Sequence, residues 1–357
     1  MLISKKNQLI GLDIGSYSIK LVEIEHKKNK KILKNIGIAH IPPNSLSPTG
    51  SIRDPDSIKK AITALFENLK IKNKKVAVAL PCASVIAKKI SLMEQVDLDL
   101  EEAIKHEAEQ FVPFDIEEVN IDYDIMDTVY EEGKEMGRME IMVVVAKKEL
   151  IKSYVDLLEE IDLSPEVMDV DIFALHNLFE LNCSEINPEK IYFLIDIGAQ
   201  TINTDVVKGN MSLFVRSSAM GGIQITKRVM QEFRIGFKDA EKIKLGIIEL
   251  EEEQNKKIRS IFREVIEEWI DEIKGNLQFI DRTYPGEEVE KIFITGGCAN
   301  IIGLEELLAN ELGVPVEKLD SFAGLTINKK IDPDYLKYIN SQSAVAVGLA
   351  LRSIGDK

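Results

Sequence analysis

The sequence predicts an α/β fold with two related domains and a smaller subdomain inserted into the first of them. The chain has 357 residues, which suggests two or more domains at roughly 150 residues each. Apolar strand patterns alternate with amphipathic helix patterns along its length. Residues 9–24 and 192–207 share one pattern, 183 positions apart, which indicates a duplicated domain rather than a solenoid repeat.

Each copy of the repeat contains an apolar strand, an Asp-x-Gly turn, a hydroxyl residue and a second strand. The repeat aligns Asp13 with Asp196, Gly15 with Gly198, and Ser18 with Thr201. A polar turn follows in both copies, and in the second copy Gly209 and Asn210 form a dipeptide typical of hairpins. We therefore expect each domain to open with a β-meander of three strands.

The segment between the two copies predicts an inserted subdomain at about residues 84–163. Its expected elements are a strand at 85–92, a helix at about 97–110, strands at 119–129 and 138–146, and a helix at 148–161. Asp97 or Asp99 is suited to cap the first of these helices. The first domain then consists of residues 1–83, 164–190 and 334–357, and the second domain consists of residues 191–333.

The second domain should contain a helical part at about residues 235–285. Helices are expected at 222–234, 239–244 and 255–280. The last of these has an apolar stripe at three- and four-residue steps from Ile258 to Ile280, which predicts packing against its own domain. A strand at 291–295, the pair Gly296-Gly297 and a helix that ends at Gly313 complete the domain.

Charge and cysteine content restrict the partners and the compartment. The formal net charge is −15, from 45 basic and 60 acidic side chains, which argues against a nucleic-acid partner. Cys82, Cys183 and Cys298 form neither a CxxC pair nor a disulfide framework, so a reducing cytoplasm is expected. The chain has no signal-peptide pattern, and its apolar runs are shorter than the roughly 18–20 residues that span a bilayer. We therefore expect no direct membrane anchor.

The two Asp-x-Gly turns predict a phosphate site. A glycine turn brings backbone N–H groups close to a ligand, and these groups form an anion cradle together with nearby hydroxyls. An aspartate beside phosphate needs a bridging cation, and Mg²⁺ held through carboxylate and water fits that need. Lys20 can add a positive charge for the terminal phosphates.

Two glycine pairs precede helices in the second half. Gly296 and Gly297 follow a strand, where small residues let a flat base or a ribose lie against the backbone. Gly221 and Gly222 stand before another predicted helix. The sequence contains no GxxxxGK[ST] and no GxGxxG pattern, which excludes P-loop and Rossmann sites.

Two Asp-x-Gly turns followed by a late TGG turn resemble the actin-like ATPase superfamily. Within it, GLDIGSYSIKLVEI, VPFDIEEVNIDYDI and TGGCANIIGLEELL are similar to the PilM family of type IV pilus assembly proteins. The resemblance covers about residues 8–352. It implies an actin-like two-domain fold around a nucleotide cleft, with an inserted subdomain of the SHS2 type.

The resemblance also implies a site for ATP and Mg²⁺. The first phosphate loop would contain Asp13, Gly15, Ser16, Ser18 and Lys20, and the second would contain Asp196, Gly198 and Thr201. Gly221 and Gly222 would border the phosphates, Glu241 and Lys244 would approach the nucleoside, and Gly296, Gly297 and Asn300 would lie beneath the base. Asp13 and Asp196 would hold Mg²⁺, through water. Asp171, at the start of the helix that links the domains, is the candidate for orienting a water or for capping that helix.

The function that the resemblance implies is that of an ATP-binding cytoplasmic scaffold in the inner-membrane assembly complex of a type IV pilus or a related secretion system. It would be recruited to the inner face of the cytoplasmic membrane by PilN, whose N-terminal cytoplasmic peptide would bind in an extended form. Pilus motor ATPases and further copies of the chain are other implied partners. Hydrolysis of ATP would be weak or absent, since no residue stands out as a general base.

Two other functions are compatible with the superfamily. An FtsA-like, polymer-forming division protein shares the fold, but it ends in a membrane-binding amphipathic helix that is not visible after LALRSIGDK. A sugar kinase usually has a DIGGT-type first turn and an acceptor site beside it, whereas this chain has DIGSYS.

Overall fold

The structure is a computed structural model that describes residues 8–27, 30–93, 99–130, 137–182 and 186–355. Two residues named above, Asp97 and Cys183, lie outside the described residues. The elements of the first half are β1 (Ile10–Ile14), β2 (Ser18–Lys27), β3 (Lys30–His40), α1 (Pro55–Leu69), β4 (Lys75–Leu80), β5 (Val85–Met93), α2 (Leu100–Glu109), β6 (Val119–Val129), β7 (Arg138–Lys147), α3 (Lys148–Glu159), β8 (Ser164–Val170) and α4 (Asp171–Asn182).

The second half repeats the opening meander and then becomes mainly helical. Its elements are β9 (Ile191–Ile197), β10 (Ile202–Lys208), β11 (Met211–Ser218), α5 (Gly222–Phe233), α6 (Phe237–Lys244), α7 (Glu252–Thr283), β12 (Val289–Thr295), α8 (Leu304–Leu312), β13 (Val316–Lys318), β14 (Thr326–Ile327), α9 (Pro333–Ile339) and α10 (Ala344–Ala350). The predicted helix stop at Gly313 is confirmed by its left-handed φ of 69°.

Two sheets hold the duplicated meanders. The first sheet has the order β14-β3-β2-β1-β4-β8, and the second has the order β11-β10-β9-β12-β13. In each sheet the first meander strand pairs antiparallel with the second, and in parallel with a later strand, β4 or β12. The predicted α/β fold with two related domains is confirmed by this common arrangement.

The two Asp-x-Gly turns are built alike. The Gly15 N–H donates to the carbonyl oxygen of Ser18 at 3.2 Å, and the Gly198 N–H donates to that of Thr201 at 2.9 Å. Each turn therefore closes tightly at the end of its strand. Strand pairing sets Asp13 opposite Lys20 in the first sheet, and the equivalent pair in the second sheet is Asp196 and Asn203.

The inserted subdomain is a three-stranded sheet with the order β5-β7-β6, covered on one face by α2. Its core joins Ile104 and Ala108 of α2 to Ile141, Val143 and Val145 of β7. The N-cap of α2 is Asp99, whose Oδ1 accepts the Glu101 N–H at 3.0 Å.

Helix α3 lies with the first domain rather than with the inserted sheet. Its buried residues Tyr154, Leu157 and Leu158 belong to the core that includes Leu12 of β1 and Ile58 of α1. The predicted subdomain at 84–163 includes this helix, because the apolar periodicity of a helix does not indicate which core its apolar face covers.

The long helix α7 packs against its own domain, as its apolar stripe predicts. Ile261, Val265, Trp269 and Ile273 are buried in the same core as the β9 strand. Among the residues that the structure describes, no helix combines the length and the apolar character that crossing a membrane requires.

Helices α4 and α10 pack closely against each other in the first domain. A Cβ atom at Gly348 of α10 would lie 1.8 Å from the Ala174 carbonyl oxygen of α4 and 2.5 Å from its carbonyl carbon. Both of these are backbone atoms, so no side-chain rotation can relieve the overlap. The glycine is therefore required by packing between the two helices.

We expect Gly348→Ala to destabilise the protein by about 3 kcal/mol, since the two helices must move apart. Gly275→Ala is the matched control: this glycine is exposed in the interior of α7, with open space around the position of its Cβ. Alanine there should stabilise the protein by about 0.5–1 kcal/mol because it favours the helix. Urea unfolding of both variants tests the pair, and equal effects would contradict this description of the α4–α10 contact.

A buried ion pair connects the linking helix α4 to the second domain. His176 Nδ1 lies 2.8 Å from Asp205 Oδ2 of β10, and the Ser212 hydroxyl donates to the other oxygen of that carboxylate. Burial lowers the pKa of His176, but its hydrogen bonds to Asp205 and Glu180 outweigh that effect and raise the pKa to about 10. The imidazole is therefore a charged partner for Asp205 at neutral pH.

Candidate nucleotide cleft

A cleft between the two domains brings both Asp-x-Gly loops together. The space between its lining residues is about 890 Å³, and part of that space is open to solvent. The predicted site residues that line it are Asp13, Gly15, Ser16, Ser18, Lys20, Asp171, Asp196, Gly198, Thr201, Gly296 and Gly297. Gly221, Gly222, Glu241, Lys244 and Asn300 are not among the lining residues.

The first loop offers free N–H donors and one cation. The N–H groups of Ser16 and Tyr17 have no hydrogen-bond partner among the described residues, so they are available to a ligand. Lys20 Nζ lies 3.1 Å from Asp13 Oδ2, and it is 3.0 Å from the place where Gly15 would carry a Cβ. Any larger residue at Gly15 would therefore press on the ammonium group.

The second loop repeats this arrangement without the lysine. The N–H groups of Ala199 and Gln200 likewise have no partner within the described part of the chain. Gly296 closes the loop from behind, because a Cβ there would lie 2.2 Å from Asp196 Oδ1 and 2.5 Å from the Ile197 carbonyl oxygen. Its φ of 86° also favours glycine.

The floor of the cleft is rich in carboxylates. Burial raises the pKa of Asp196 to about 6; Lys20 opposes this rise and Asp13 adds to it. Burial also raises the pKa of Asp171 well above its usual range, and the charge of Asp196 adds to that rise. Two carboxyl groups with raised pKa values lie in the same cleft as Asp13, and Lys20 is the cation among these residues. This combination indicates a site with too little positive charge.

A divalent cation fits this deficit. Asp13 and Asp196 supply hard oxygen ligands, which Mg²⁺ prefers, and Mg²⁺ usually keeps several of its waters. In the part of the chain that the structure describes, no three His, Cys, Asp or Glu side chains are grouped as a direct metal site. Two carboxylates leave most of the coordination sites of Mg²⁺ for water and phosphate oxygens, which is how this cation is usually bound.

Asp171 is engaged by two elements at once. Its Oδ1 accepts the Cys82 N–H at 2.9 Å, and its Oδ2 accepts the Asn203 side-chain amide at 3.1 Å. Asn203 is held in turn by the Ser217 hydroxyl at 2.6 Å. Asp171 thus positions the linking helix, the entry to the inserted subdomain and the second sheet relative to one another.

Asn203 was missed by the sequence analysis, although the repeat contains the signal for it. It stands 183 positions after Lys20, so the duplicated strand has a neutral amide where the first has a cation. Lys20 pairs with Asp13 of its own sheet, whereas Asn203 donates a hydrogen bond to Asp171 of the linking helix.

Gly221 and Gly222 lie behind the second loop, and their N–H groups are already used. The Gly222 N–H donates to the Gly198 carbonyl oxygen at 3.1 Å, and the Gly221 N–H donates to Gln224 Oε1 at 3.0 Å. A Cβ at either position would overlap a neighbour: the Gly198 carbonyl oxygen at 2.7 Å, or Cys298 Sγ at 2.6 Å. These glycines support the loop by close packing.

Glu241 and Lys244 form an ion pair on α6, in which Glu241 is buried and Lys244 is partly buried. Lys244 Nζ lies 2.6 Å from Glu241 Oε1 and 3.0 Å from the Thr226 hydroxyl, which also donates to Glu241. Tyr17 reaches this pair from the first loop. Burial and the neighbouring Glu241 raise the pKa of Tyr17 to about 12, and Lys244 Nζ is 6.0 Å from the centre of its ring.

The glycines of the TGG turn line the cleft, whereas Asn300 after the turn does not. Gly297 is exposed and lines the cleft, whereas the exposed Asn300 accepts a hydrogen bond from the Ser341 hydroxyl at 2.7 Å. Ser341 and Gln342 themselves line the cleft, and neither was identified from the sequence. They belong to the segment that leads into α10, 45 residues after the turn in sequence.

The sequence matches the model of a known protein family. The sequence model of the type IV pilus assembly protein PilM matches residues 11–354. The chain belongs to the PilM family. The expected resemblance to this family and to the actin-like ATPases is thereby confirmed.

Solved structures support the family assignment and the fold. One solved structure is that of a PilM–PilN type IV pilus biogenesis complex, and the matched chain is 26% identical to this one with a TM-score of 0.84. The match covers 98% of this chain and 99% of the matched chain. The ethanolamine utilization protein EutJ from Carboxydothermus hydrogenoformans shares 15% identity, with a TM-score of 0.54, over 98% and 91% of the two chains. MreB5 of Spiroplasma citri, solved with AMPPNP, shares 13% identity, with a TM-score of 0.50, over 97% and 95%.

Proposed function

We propose that this protein is an ATP-binding scaffold of a type IV pilus assembly complex. Mg·ATP would bind in the cleft, and the N-terminal cytoplasmic peptide of a PilN-type membrane protein would bind at the inserted subdomain. The observation that carries the proposal is the pair of facing loops, each with free N–H groups, above Asp13 and Asp196. The similarity to the PilM–PilN complex supports the choice of partner.

Different residues of the cleft would bind the phosphates and the cation of Mg·ATP. The N–H groups of both loops and the Lys20 ammonium group would hold phosphate oxygens, and Asp13 and Asp196 would hold Mg²⁺ through water. Mg²⁺ supplies the positive charge that lets phosphates and carboxylates share this cleft. Because the loops belong to different domains, a nucleotide that contacts both would favour the closed arrangement of the domains.

Asp171 would couple nucleotide binding in the cleft to the position of the inserted subdomain. It lines the cleft, and it also binds the N–H of Cys82, three residues before β5 begins. Movement of Asp171 on nucleotide binding would therefore shift the base of the inserted sheet. Since both of its oxygens already accept hydrogen bonds, we assign it a positioning role and expect slow hydrolysis of ATP.

The partner would bind as an extended segment. In the order β5-β7-β6 the strands β5 and β6 are the edges of the inserted sheet, and such edges bind peptides through backbone hydrogen bonds. A membrane-anchored PilN-type protein would thereby recruit this cytoplasmic protein to the inner face of the membrane.

Calorimetric titration with ATP, with and without Mg²⁺, tests the nucleotide part of the proposal. We expect binding to one site per chain that is at least tenfold tighter with Mg²⁺, because the carboxylates repel phosphate without a cation. Lack of binding in the presence of Mg²⁺ would refute the proposal, and so would equal affinities under the two conditions.

A further inference from the structure

We infer that Gln342 binds the base of the nucleotide and selects adenine. This inference rests on the proposed function and adds a residue that confers specificity. It starts from a difference among the residues that line the cleft. Both loops, Lys20 and the three carboxylates are suited to phosphates and a cation, whereas Gly297, Ser341 and Gln342 are uncharged. A nucleotide with its phosphates on the loops would have its nucleoside against these uncharged residues.

The backbone beside Gln342 is fixed to the TGG turn. The Ser341 carbonyl oxygen accepts the Gly296 N–H at 2.8 Å and the Thr295 hydroxyl at 2.8 Å. The Gln342 N–H donates to the Ile339 carbonyl oxygen at 3.1 Å. The segment is thus anchored on both sides, and the starting point of the Gln342 side chain is well defined.

The side chain extends over the open glycine. Its Cγ lies 3.9 Å from the place where Gly297 would carry a Cβ, so the carboxamide and the bare backbone face the same space. Among the described residues the Gln342 carboxamide has no hydrogen-bond partner. The cap of the following helix α10 is Ser343, so Gln342 is not needed to start that helix.

A carboxamide presents one acceptor and a donor side by side. This pattern matches adenine, where the exocyclic amine donates and the neighbouring ring nitrogen accepts. The same edge of guanine has two acceptors, one of which would face the Gln342 oxygen. A planar base lying against Gly297 would bring its edge within reach of this group.

Gln200 is the matched comparison within the same cleft. It is also a glutamine without a side-chain partner in the described chain, but it belongs to the second phosphate loop. A change at Gln200 should alter the affinities for ATP and GTP by the same factor, because both ligands carry the same phosphates. A change at Gln342 should alter their ratio.

The test measures Kd for Mg·ATP and Mg·GTP with wild type, Gln342→Met, Gln342→Lys and Gln200→Ala. Methionine keeps the length of the side chain without its hydrogen bonds, and we expect it to weaken ATP binding about tenfold while leaving GTP almost unchanged. Lysine is a donor only, which matches the two acceptors of guanine, and it should reverse the preference toward GTP. Thermal unfolding of each variant identifies any that do not fold, and the two Gln342 variants serve as independent tests.

The outcomes separate this inference from the proposed function. If wild type binds neither nucleotide, the proposed function itself is wrong. If wild type binds Mg·ATP but both Gln342 variants keep the wild-type ratio of ATP to GTP affinity, the inference is overturned and the nucleotide site stands. A changed ratio in Gln200→Ala of the same size as in Gln342→Met would also overturn it.

Discussion

Asp196→Asn should weaken Mg·ATP binding about 100-fold and, at the same time, stabilise the empty protein. The carboxylate is needed to hold the hydrated cation, and loss of one charged partner in a buried cluster weakens binding by about 3 kcal/mol, or about 100-fold. In the empty cleft the same carboxylate is unfavourable, because burial and Asp13 raise its pKa to about 6 while Lys20 opposes them only in part. Asparagine removes that penalty.

The stability difference between Asp196→Asn and wild type should depend on pH, and its sign follows from the pKa of Asp196. The pKa of Asp196 rises on folding from 3.8 to about 6, so the folded protein binds the proton more tightly than the unfolded chain does. The penalty of the ionised group is complete above pH 6 and disappears as the pH falls toward 3.8. We expect Asp196→Asn to be more stable than wild type by about 1–3 kcal/mol at pH 8, and the difference to shrink steadily below pH 6.

Calorimetry and urea unfolding of the same preparations test both halves. Asp239→Asn is a suitable control, since Asp239 is exposed on α6, and it should change neither property. Asp13→Ala should also lose Mg·ATP affinity. Unchanged affinity in both the Asp13 and the Asp196 variants would contradict the assignment of the site.

His176→Ala should have the largest effect on stability. His176 is 8% exposed and its partner Asp205 is 0% exposed, so the variant leaves a buried carboxylate without its cation. Removing one partner of a buried pair costs about 3–5 kcal/mol. The exposed His106 provides the control, and His106→Ala should change the free energy of unfolding by less than about 0.5 kcal/mol.

The repeat suggests the rescue variant. Position 205 corresponds to Val22 in the first copy, 183 residues earlier, where the same strand position is apolar. The double variant His176→Leu with Asp205→Val replaces the pair by apolar side chains, which is often neutral or stabilising. We expect it to recover most of the loss. A double variant as unstable as His176→Ala alone would contradict the interpretation as an unpaired buried charge.

The pair also has a defined pH window. Because hydrogen bonds raise the pKa of His176 from 6.5 to about 10, its stabilising contribution is complete below pH 6.5 and is lost as the pH rises toward 10. The stability of wild type should therefore fall relative to the apolar double variant over that interval. Parallel unfolding curves from pH 6 to pH 10 measure the difference directly.

Much of the fold and the floor of the cleft could be predicted from the sequence, because both depend on local patterns. A strand followed by Asp-x-Gly and a hydroxyl residue can adopt only a few backbone conformations. The repetition of this pattern after 183 residues indicates two domains that face each other. The capping residues Asp99 and Gly313 were recognisable for the same reason, since a helix end is decided by a few neighbouring residues.

The remaining features depend on contacts between distant segments. The residues near Gly222 in sequence do not indicate that the Gly198 carbonyl oxygen accepts its N–H. Likewise, the sequence around Glu241 does not indicate that this carboxylate binds both Lys244 and Thr226. Gln342 was missed because its importance comes from the TGG turn, with which it shares no motif. Such pairings follow from how the domains pack, which periodicity does not encode.

If the cleft and the partner site are coupled, Mg·ATP in the cleft should change the affinity for the partner peptide. A synthetic N-terminal peptide of a PilN-type protein is titrated into this protein with and without saturating Mg·ATP. We expect the peptide to bind about 5- to 150-fold more tightly with the nucleotide, which is the usual range for coupled sites. Equal affinity for the peptide in a protein that binds Mg·ATP would contradict this coupling.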